Sequence, residues 1–287
     1  MDKPILVFQT DFTYKEGAVC SMYGVVKSVE RSLEIFDGTH EIPHFDTWSA
    51  SYRLYQSMKF WPKGTIFVSV VDPGVGTSRR ASVAKTKDGY FVVTPDNGAL
   101  THLKEHVGIE EIREIDEIRN RLQSTQGTNV FHGRDLFGYC AAKLAAGIIS
   151  YEEVGPAYPV DEIVVHPIHQ PSISREKAEG IIEICDPNFG NMWTNIPVEK
   201  FLVNGFQYGD LLCITISHQG KMIYQSEAPF AKSFGYVNKG DTVVYTNELL
   251  KVAIAISMGN FKETYHVDFG FDWKVELGKS NGPRRIP

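Results

Sequence analysis

The sequence has few cysteines and no long hydrophobic run. Its 287 residues include four widely spaced cysteines, Cys20, Cys140, Cys185 and Cys213, with no C-x-x-C pair. This spacing argues against a disulfide framework, and we expect reduced thiols in a cytoplasmic protein. No apolar stretch reaches the ~18 residues of a membrane-spanning helix, and the first residues lack the basic start of a signal peptide. We therefore expect no membrane partner.

Runs of basic residues are also missing. The formal net charge is −6, and the short segment GPRRIP is the most basic part of the chain. Nucleic-acid binding depends on clustered positive charge, so we expect no nucleic-acid partner. Hydrophobic residues make up 43% and charged residues 22% of the chain, which is typical of a globular protein. The length is sufficient for two domains.

The first half alternates strand-like and helix-like segments. The strand-like runs are PILVFQT, LEIFDGTH and TIFVSVVD, followed by the hairpin pattern ASVAKTKDGYFVVTP. The amphipathic helical runs include EGAVCSMYGVVKSVER, FDTWSASYRLYQSMKFW and GRDLFGYCAAKLAAGII. This order predicts an α/β fold with an N-terminal, mostly parallel sheet flanked by helices.

The pattern changes after a segment rich in proline and serine, HPIHQPSISRE. Short strand-like runs follow, among them GIIEICDP, DLLCITISHQ, DTVVYTNE and TYHVDFGF. They predict a smaller C-terminal, all-β barrel or sandwich. We expect an N-terminal α/β domain over residues 1–165, a linker over 166–178 and a C-terminal β domain over 179–287.

Each of the first three predicted strands leads into an aspartate, namely Asp11, Asp37 and Asp72. Ligands of open α/β sheets bind at the carboxyl ends of the strands, so together these residues predict a site there. Taken alone, Asp37 is expected to be a cap or turn former. The loop VVDPGVGTSRR matches neither the Walker A nor the dinucleotide pattern. Its aspartate would repel an anion and indicates a ligand with hydroxyls, such as a ribose, or a cation.

A metal site is the alternative interpretation of these acidic residues. Carboxylates and imidazoles can form an oxygen and nitrogen cage, but no pair has the H-E-x-x-H spacing of a helical zinc site. We expect no metal, and a metal-dependent nucleoside or phosphoester hydrolase stays open as an alternative. The residues considered for such a cage are Asp11, Asp37, His40, Asp72, Asp96, His132 and Asp135.

Six motifs occur in an order that resembles one family. They are QTDF, DGTHEIP, WPKGTIFVSVVDPGVGTSRR, TPDNGAL, VFHGRDLF and FGNMWTNI. In these motifs the chain resembles the S-adenosyl-L-methionine hydroxide adenosyltransferases, which are adenosine-forming hydrolases related to the bacterial fluorinase and chlorinase. The resemblance implies hydrolysis of S-adenosyl-L-methionine to adenosine and methionine without a cofactor. It also implies a homotrimer whose sites lie between one subunit's N-domain and a neighbour's C-domain.

The resemblance implies a water-activating triad of Asp72, Arg79 and His132. The related halogenases have Tyr in place of the aspartate and Tyr-Ser in place of His-Gly, so His132 and Gly133 favour the hydrolase. The Arg79 guanidinium stays protonated and can stabilise hydroxide. His132 can accept a proton, and Asp72 can orient the other two groups.

The resemblance also implies a set of substrate contacts. Asp11 would hold the ribose hydroxyls, Asn191 would read the adenine edge, and Glu16 would lie near the methionine amino group. The remaining expected contacts are Phe45, Asn97, Phe131 and Trp193 around the nucleoside. The chain departs from the family at Thr13, which replaces a glycine, and at Glu248 and Leu249, which stand where the family has serine and the fluorinase has arginine, so the contact to the methionine carboxylate is expected to differ. These departures leave a nonenzymatic adenosine or S-adenosylmethionine binding protein as a further alternative.

Overall fold

The chain divides close to residue 166. The computed structural model describes residues 3–280, and it separates into two units, Met1–His166 and Pro167–Pro287. Each unit has its own buried hydrophobic cluster. Across residues 3–280, no helix combines the length and the apolar character that a bilayer crossing requires.

A twisted sheet organises the first unit. Its strands are β1 Leu6–Thr10, β2 Ile35–Thr39, β3 Ile66–Val70, β4 Ala81–Thr86, β5 Phe91–Pro95, β6 Ile109–Glu114 and β7 Ala157–Tyr158. The spatial order is β2-β1-β3-β5-β4-β6-β7. The first four strands in this order are parallel, and β4, β6 and β7 add antiparallel pairs at one side.

Helices cover both faces of this sheet. They are α1 Ala18–Val29, α2 Thr47–Met58, α3 Thr101–His106, α4 Glu117–Asn120 and α5 Tyr139–Ala145, with a π-helix at Gly133–Gly138 just before α5. Alternate residues of β1 point to opposite faces. Leu6 and Phe8 pack with α1 and α5, whereas Val7 packs with α2 and α3. Asp46 caps α2 by accepting a bond from Ser49 N at 2.9 Å.

An antiparallel sheet forms the second unit. Its strands are β8 Ser172–Ile173, β9 Lys177–Cys185, β10 Met192–Pro197, β11 Leu211–His218, β12 Lys221–Pro229, β13 Thr242–Thr246, β14 Lys251–Ile256 and β15 Trp273–Lys279, and its helices are α6 Val198–Val203 and α7 Phe261–Tyr265. The path β12-β11-β15-β9-β10-β14-β13 curls around one core. A bridge between Phe230 and Val244 joins its two ends, so the barrel is nearly closed.

The predicted fold class is confirmed, with local corrections. The run TYHVDFGF is not a strand, because Asn260 caps α7 by accepting a bond from Glu263 N at 2.9 Å. The strands β6, β7, β8 and β10 are additional to those predicted. The helix predicted from GRDLFG onwards begins as a π-helix rather than an α-helix.

Candidate active site

The carboxyl ends of two neighbouring strands place two aspartates at one edge of the first sheet. Thr10 at the end of β1 pairs with Val70 at the end of β3, so Asp11 and Asp72 follow adjacent parallel strands. The chain then turns through the glycine loop that begins at Pro73. Gly76 has a φ of 75°, and a Cβ there would lie 3.1 Å from the carbonyl oxygen of Asn129. Glycine therefore allows this loop to approach the segment before His132.

The structure brings Asp72, Arg79 and His132 together. Arg79 Nε lies 3.0 and 3.1 Å from the two Asp72 carboxylate oxygens, and Arg79 Nη2 lies 2.5 Å from Asp72 Oδ2. The same Nη2 lies 2.9 Å from Nδ1 of His132, which is 53 positions away in the chain. The side chains of Arg79 and Asp72 are only 10% and 5% exposed. A forked, charge-assisted pair of this kind fixes the guanidinium plane.

The Arg79 contact determines which nitrogen of His132 carries a proton. A guanidinium has only donors, so Nδ1 must accept, and a neutral ring then carries its proton on Nε2. Burial lowers the pKa of His132 below its ordinary value of 6.5, and the Arg79 charge lowers it further. Nε2 is buried and has no hydrogen-bond partner among residues 3–280. A buried N–H of this kind is a position where a bound water or hydroxide would be stabilised.

The π-helix that follows His132 is closely packed at its first residues. A Cβ at Gly133 would lie 3.1 Å from the Phe12 ring and 3.2 Å from the Phe131 ring, so a larger residue would push both rings aside. In the next turn, Asp135 is fully buried and pairs with Arg134 at 2.6 Å. The Arg134 guanidinium lies over the Phe131 ring at 4.9 Å. The pair is consistent with a structural role for Asp135.

The remaining predicted residues of the first unit differ in how close they come to the triad. Asp11 is buried, and its Oδ2 accepts a bond from Phe45 N at 2.9 Å, while the Phe45 ring is 69% exposed. Asn97 donates to the carbonyl oxygen of Val71 at 2.9 Å, next to Asp72. Glu16 is exposed and accepts from Ala18 N at 3.0 Å at the start of α1.

The expectation that Asp37 is a cap or turn former is wrong. Asp37 lies within β2, and its carboxylate accepts bonds from the hydroxyls of Tyr14 and Tyr23 and contacts Nε2 of His40 at 3.2 Å. The two tyrosines had no motif that would identify them from the sequence. The Tyr14 and Tyr23 hydroxyls reach Asp37 only after α1 has packed beside β2.

The second unit carries a separate apolar cavity of about 610 Å³. It is lined by Asn188, Phe189, Asn191, Phe234, Ile256, Met258, Gly259 and Asn260. Asn191 is 8% exposed, whereas the Phe189 and Met258 side chains are 65% and 82% exposed. Of these lining residues, only Asn191 was predicted from the sequence.

Trp193 does not line this cavity. Its indole Nε1 donates to the Tyr245 hydroxyl at 3.1 Å, and the Tyr245 ring packs 4.7 Å from Phe234, which does line the cavity. Trp193 therefore supports the cavity wall from the neighbouring layer.

No three histidine, cysteine, aspartate or glutamate side chains within the described part of the chain converge to hold a metal ion. Several carboxylates considered for a metal cage bind protein donors instead. Asp72 binds Arg79, Asp135 binds Arg134, and Asp96 accepts bonds from Tyr158 and from Val164 N.

Comparisons with known proteins agree with this architecture. Residues 6–155 match the model of the SAM hydroxide adenosyltransferase N-terminal domain, and residues 180–274 match that of the C-terminal domain. A Methanocaldococcus jannaschii protein named (R)-S-adenosyl-L-methionine hydrolase is 31% identical over 270 residues, covering 92% of this chain and 93% of its own. A protein of Actinopolyspora mzabensis named fluorinase is 24% identical over 300 residues, covering 95% and 97%.

A solved structure is also similar. The crystal structure of an uncharacterized conserved protein from Thermotoga maritima is 35% identical and has a TM-score of 0.85, covering 96% of this chain and 100% of that one. The two family models together span most of the sequence, and the relatives match along nearly their whole length. The chain belongs to the SAM hydroxide adenosyltransferase family.

Proposed function

We propose that this protein hydrolyses S-adenosyl-L-methionine to adenosine and L-methionine. The observation that carries the proposal is the convergence of Asp72, Arg79 and His132, which leaves a buried imidazole N–H with no acceptor among the residues that the structure describes. Family membership and relatives named (R)-S-adenosyl-L-methionine hydrolase give the substrate class. The proposal includes no metal and no organic cofactor.

The reaction needs a nucleophile more than it needs an acid. An oxygen attacks the 5′ carbon of the substrate, the C–S bond breaks, and its electron pair neutralises the sulfonium as methionine leaves. Hydroxide is the competent nucleophile, and the proton that water loses when hydroxide forms goes to solvent. Hydroxide and sulfonium carry opposite charges that cancel during attack, so a site that excludes water favours the transition state.

The geometry supports His132 as a donor to this hydroxide rather than as the group that takes a proton from water. Its Nδ1 accepts from Arg79, so the Nε2–H is the group available to the attacking oxygen. In this arrangement Arg79 contributes positive charge, and Asp72 holds the guanidinium in place through both carboxylate oxygens. This refines the initial expectation that His132 accepts the proton.

We propose that the substrate contacts divide between the two units. Asp11 would hold the ribose hydroxyls, with Phe45, Phe131 and Asn97 around the nucleoside and Glu16 near the methionine amino group. Asn191 would bind the adenine edge in the apolar cavity of the second unit, supported by Trp193. Buried amides that pair with a base edge and apolar walls that cover its faces are typical of nucleoside pockets.

We further propose a cytoplasmic homotrimer whose sites are shared between neighbouring subunits. The resemblance to the family supports the trimer, and four cysteines that form no disulfide are compatible with a reducing compartment. Mixing an inactive His132→Asn variant with the weakly binding Asn191→Ala variant, assayed at a substrate concentration far below the KM of the latter, would test it. Shared sites should give more activity after subunit exchange than the two variants give separately, whereas sites built within one chain would give only their sum.

The activity itself can be tested by chromatography of purified protein incubated with S-adenosyl-L-methionine. We expect adenosine and methionine in equal amounts, at a rate that a chelator does not change. His132→Asn should reduce turnover by about 10²-fold or more, the usual effect of removing a positioned catalytic group. Arg80→Lys is the matched control, because the Arg80 guanidinium pairs with Glu162 at 2.7 Å instead of the triad. Retention of substrate without products would favour a nonenzymatic binding protein.

A further inference from the structure

A cluster of five polar side chains is centred on His40 and includes Thr10, the residue before Asp11. We call it the His40 cluster, and it consists of Thr10, Tyr14, Tyr23, Asp37 and His40. The His40 residue is only 1% exposed. Its Nδ1 lies 2.8 Å from Thr10 Oγ1, and its Nε2 lies 3.0 Å from the Tyr23 hydroxyl and 3.2 Å from Asp37 Oδ1. A buried imidazole with this many partners holds a single ring orientation.

The partners fix the direction of each hydrogen bond. Burial lowers the pKa of His40, so its ring is neutral near neutral pH and carries one proton. With Nε2–H donating to the Asp37 carboxylate, Nδ1 accepts from the Thr10 hydroxyl. The Thr10 oxygen in turn accepts from Phe12 N at 3.1 Å. The chain of bonds therefore runs from the Phe12 N–H, just after Asp11, to Asp37 within β2.

Main-chain bonds join the same two chain segments on either side of Asp11. Thr13 N donates to the carbonyl oxygen of His40 at 2.8 Å, and Ile42 N donates to that of Thr10 at 3.3 Å. Thr13 has a φ of 56°, a left-handed conformation that is unfavourable for a β-branched residue. Such a conformation persists only where the surroundings impose it.

We propose that His40 is the positioning residue for Asp11 and therefore determines affinity for the ribose of the substrate. This inference rests on the proposed function, in which Asp11 holds the ribose hydroxyls. Asp11 directly follows Thr10, whose hydroxyl bonds to His40 Nδ1, and Asp11 Oδ2 accepts a bond from Phe45 N, five residues after His40. The position of Asp11 therefore depends on how His40 joins the end of β1 to the segment that follows β2. Disturbing the cluster should weaken ribose binding much more than it slows the bond-breaking step.

Calorimetric titration with adenosine and with 2′-deoxyadenosine tests this inference without relying on turnover. We expect His40→Ala to weaken adenosine binding about tenfold, the equivalent of about one lost hydrogen bond. Wild-type protein should prefer adenosine to the deoxy compound, and His40→Ala should lose most of that preference. A variant that weakens both ligands equally, or neither of them, would overturn the inference.

Two matched pairs of variants separate positioning from a loss of folding. Asn can present an amide oxygen close to the place of Nδ1, so His40→Asn should restore more ribose preference than His40→Gln. Thr10→Val removes the hydroxyl at nearly constant volume, and Thr10→Ser restores it, so the valine variant should lose the preference and the serine variant should keep it. Circular dichroism checks the fold of each variant. If the serine and valine variants behave alike, the proposed role of Thr10 and His40 is wrong.

The outcome also separates this inference from the proposed function. Wild-type protein that binds adenosine but forms no products would contradict the hydrolase and leave the positioning role to be decided by the same titrations. Wild-type protein that binds no adenosine would overturn the positioning role. In an active enzyme, His40→Ala should raise KM about tenfold and change kcat by less than about threefold, since uniform binding affects KM alone.

Discussion

The site around Asp72, Arg79 and His132 in the first unit, here called the triad corner, and the cavity of the second unit differ in the kind of interaction that they offer a ligand. The triad corner is polar, and its Asp72, Arg79 and His132 side chains are held by charge-assisted contacts of 2.5 to 3.1 Å. The cavity is largely apolar, and it presents exposed rings such as Phe189 beside the buried amide of Asn191.

This difference shows which region suits which part of a reaction. Fixed charges around a desolvated N–H stabilise the hydroxide that attacks the substrate. Apolar walls with a single buried amide bind a ring and read its edge without favouring any step of the chemistry. We therefore expect substitutions in the triad corner to change kcat and substitutions in the cavity to change KM.

The largest effect is expected from Arg79→Lys. A lysine keeps the positive charge, but it cannot bind both Asp72 oxygens and His132 Nδ1 at the same time. We expect kcat to fall about 10²–10³-fold with little change in KM, because the site would stabilise hydroxide less well and loss of one preorganised donor typically has an effect of this size. Arg80→Lys serves as the control in steady-state assays. A large rise in KM at constant kcat would show that Arg79 binds substrate instead.

Asn191→Ala should have the second largest effect, of the opposite kind. Leaving an adenine edge without its partner costs about 1–3 kcal/mol, which raises KM roughly 5- to 150-fold with kcat nearly constant. Asn204→Ala is the matched control, because Asn204 lies outside the cavity and its side-chain amide donates to the carbonyl oxygen of Lys200. If kcat falls while KM is unchanged, the proposed division between the two regions is wrong.

The pKa of His132 gives a smaller but sharper test of the triad corner. In the wild-type protein it should lie below 6.5, because burial and the Arg79 charge both disfavour the imidazolium. Arg79→Leu removes the second cause and leaves the Asp72 carboxylate unpaired, so the pKa should rise. Histidine NMR over a pH series measures both values, and His132→Asn identifies the signal. A wild-type pKa at or above 6.5 would contradict the geometry.

The smallest effect is expected for Tyr245→Phe, which removes only the hydroxyl that accepts the bond from Trp193 behind the cavity wall. The free energy of unfolding should fall by about 0.5–1.5 kcal/mol, measured by urea denaturation and circular dichroism. Trp193→Phe removes the same bond and part of a buried ring system, so it should cost more. If Trp193→Phe instead raises KM as strongly as Asn191→Ala, Trp193 touches the ligand directly.

Much of the fold could be predicted from local sequence patterns. Buried strands such as Leu6–Thr10 and Ile66–Val70 are predominantly apolar runs, and the helix Thr47–Met58 lies within the predicted helical run FDTWSASYRLYQSMKFW. The polar strand Ile109–Glu114 lacks such a run and was not predicted, because its pairing with β4 determines its conformation. The π-helix at Gly133–Gly138 has no distinguishing local pattern either.

The candidate site was predictable in part. The motifs indicated Asp72, Arg79 and His132, and the structure brings them together, although their catalytic role stays a prediction. The donor role of His132 depends on which nitrogen faces Arg79, and no spacing in the sequence encodes that contact. The same holds for Tyr14 and Tyr23, whose hydroxyls meet at Asp37 only after the strands and α1 have packed.

A double-mutant cycle between Arg79 and His132 tests most directly whether these groups act on one attacking oxygen. The measured quantity is kcat for Arg79→Lys, His132→Asn and the double variant. Residues that act as a unit are strongly non-additive, so the double variant should be about as slow as the slower single variant. Losses that multiply in the double variant would mean that the two residues act independently, and would contradict the account.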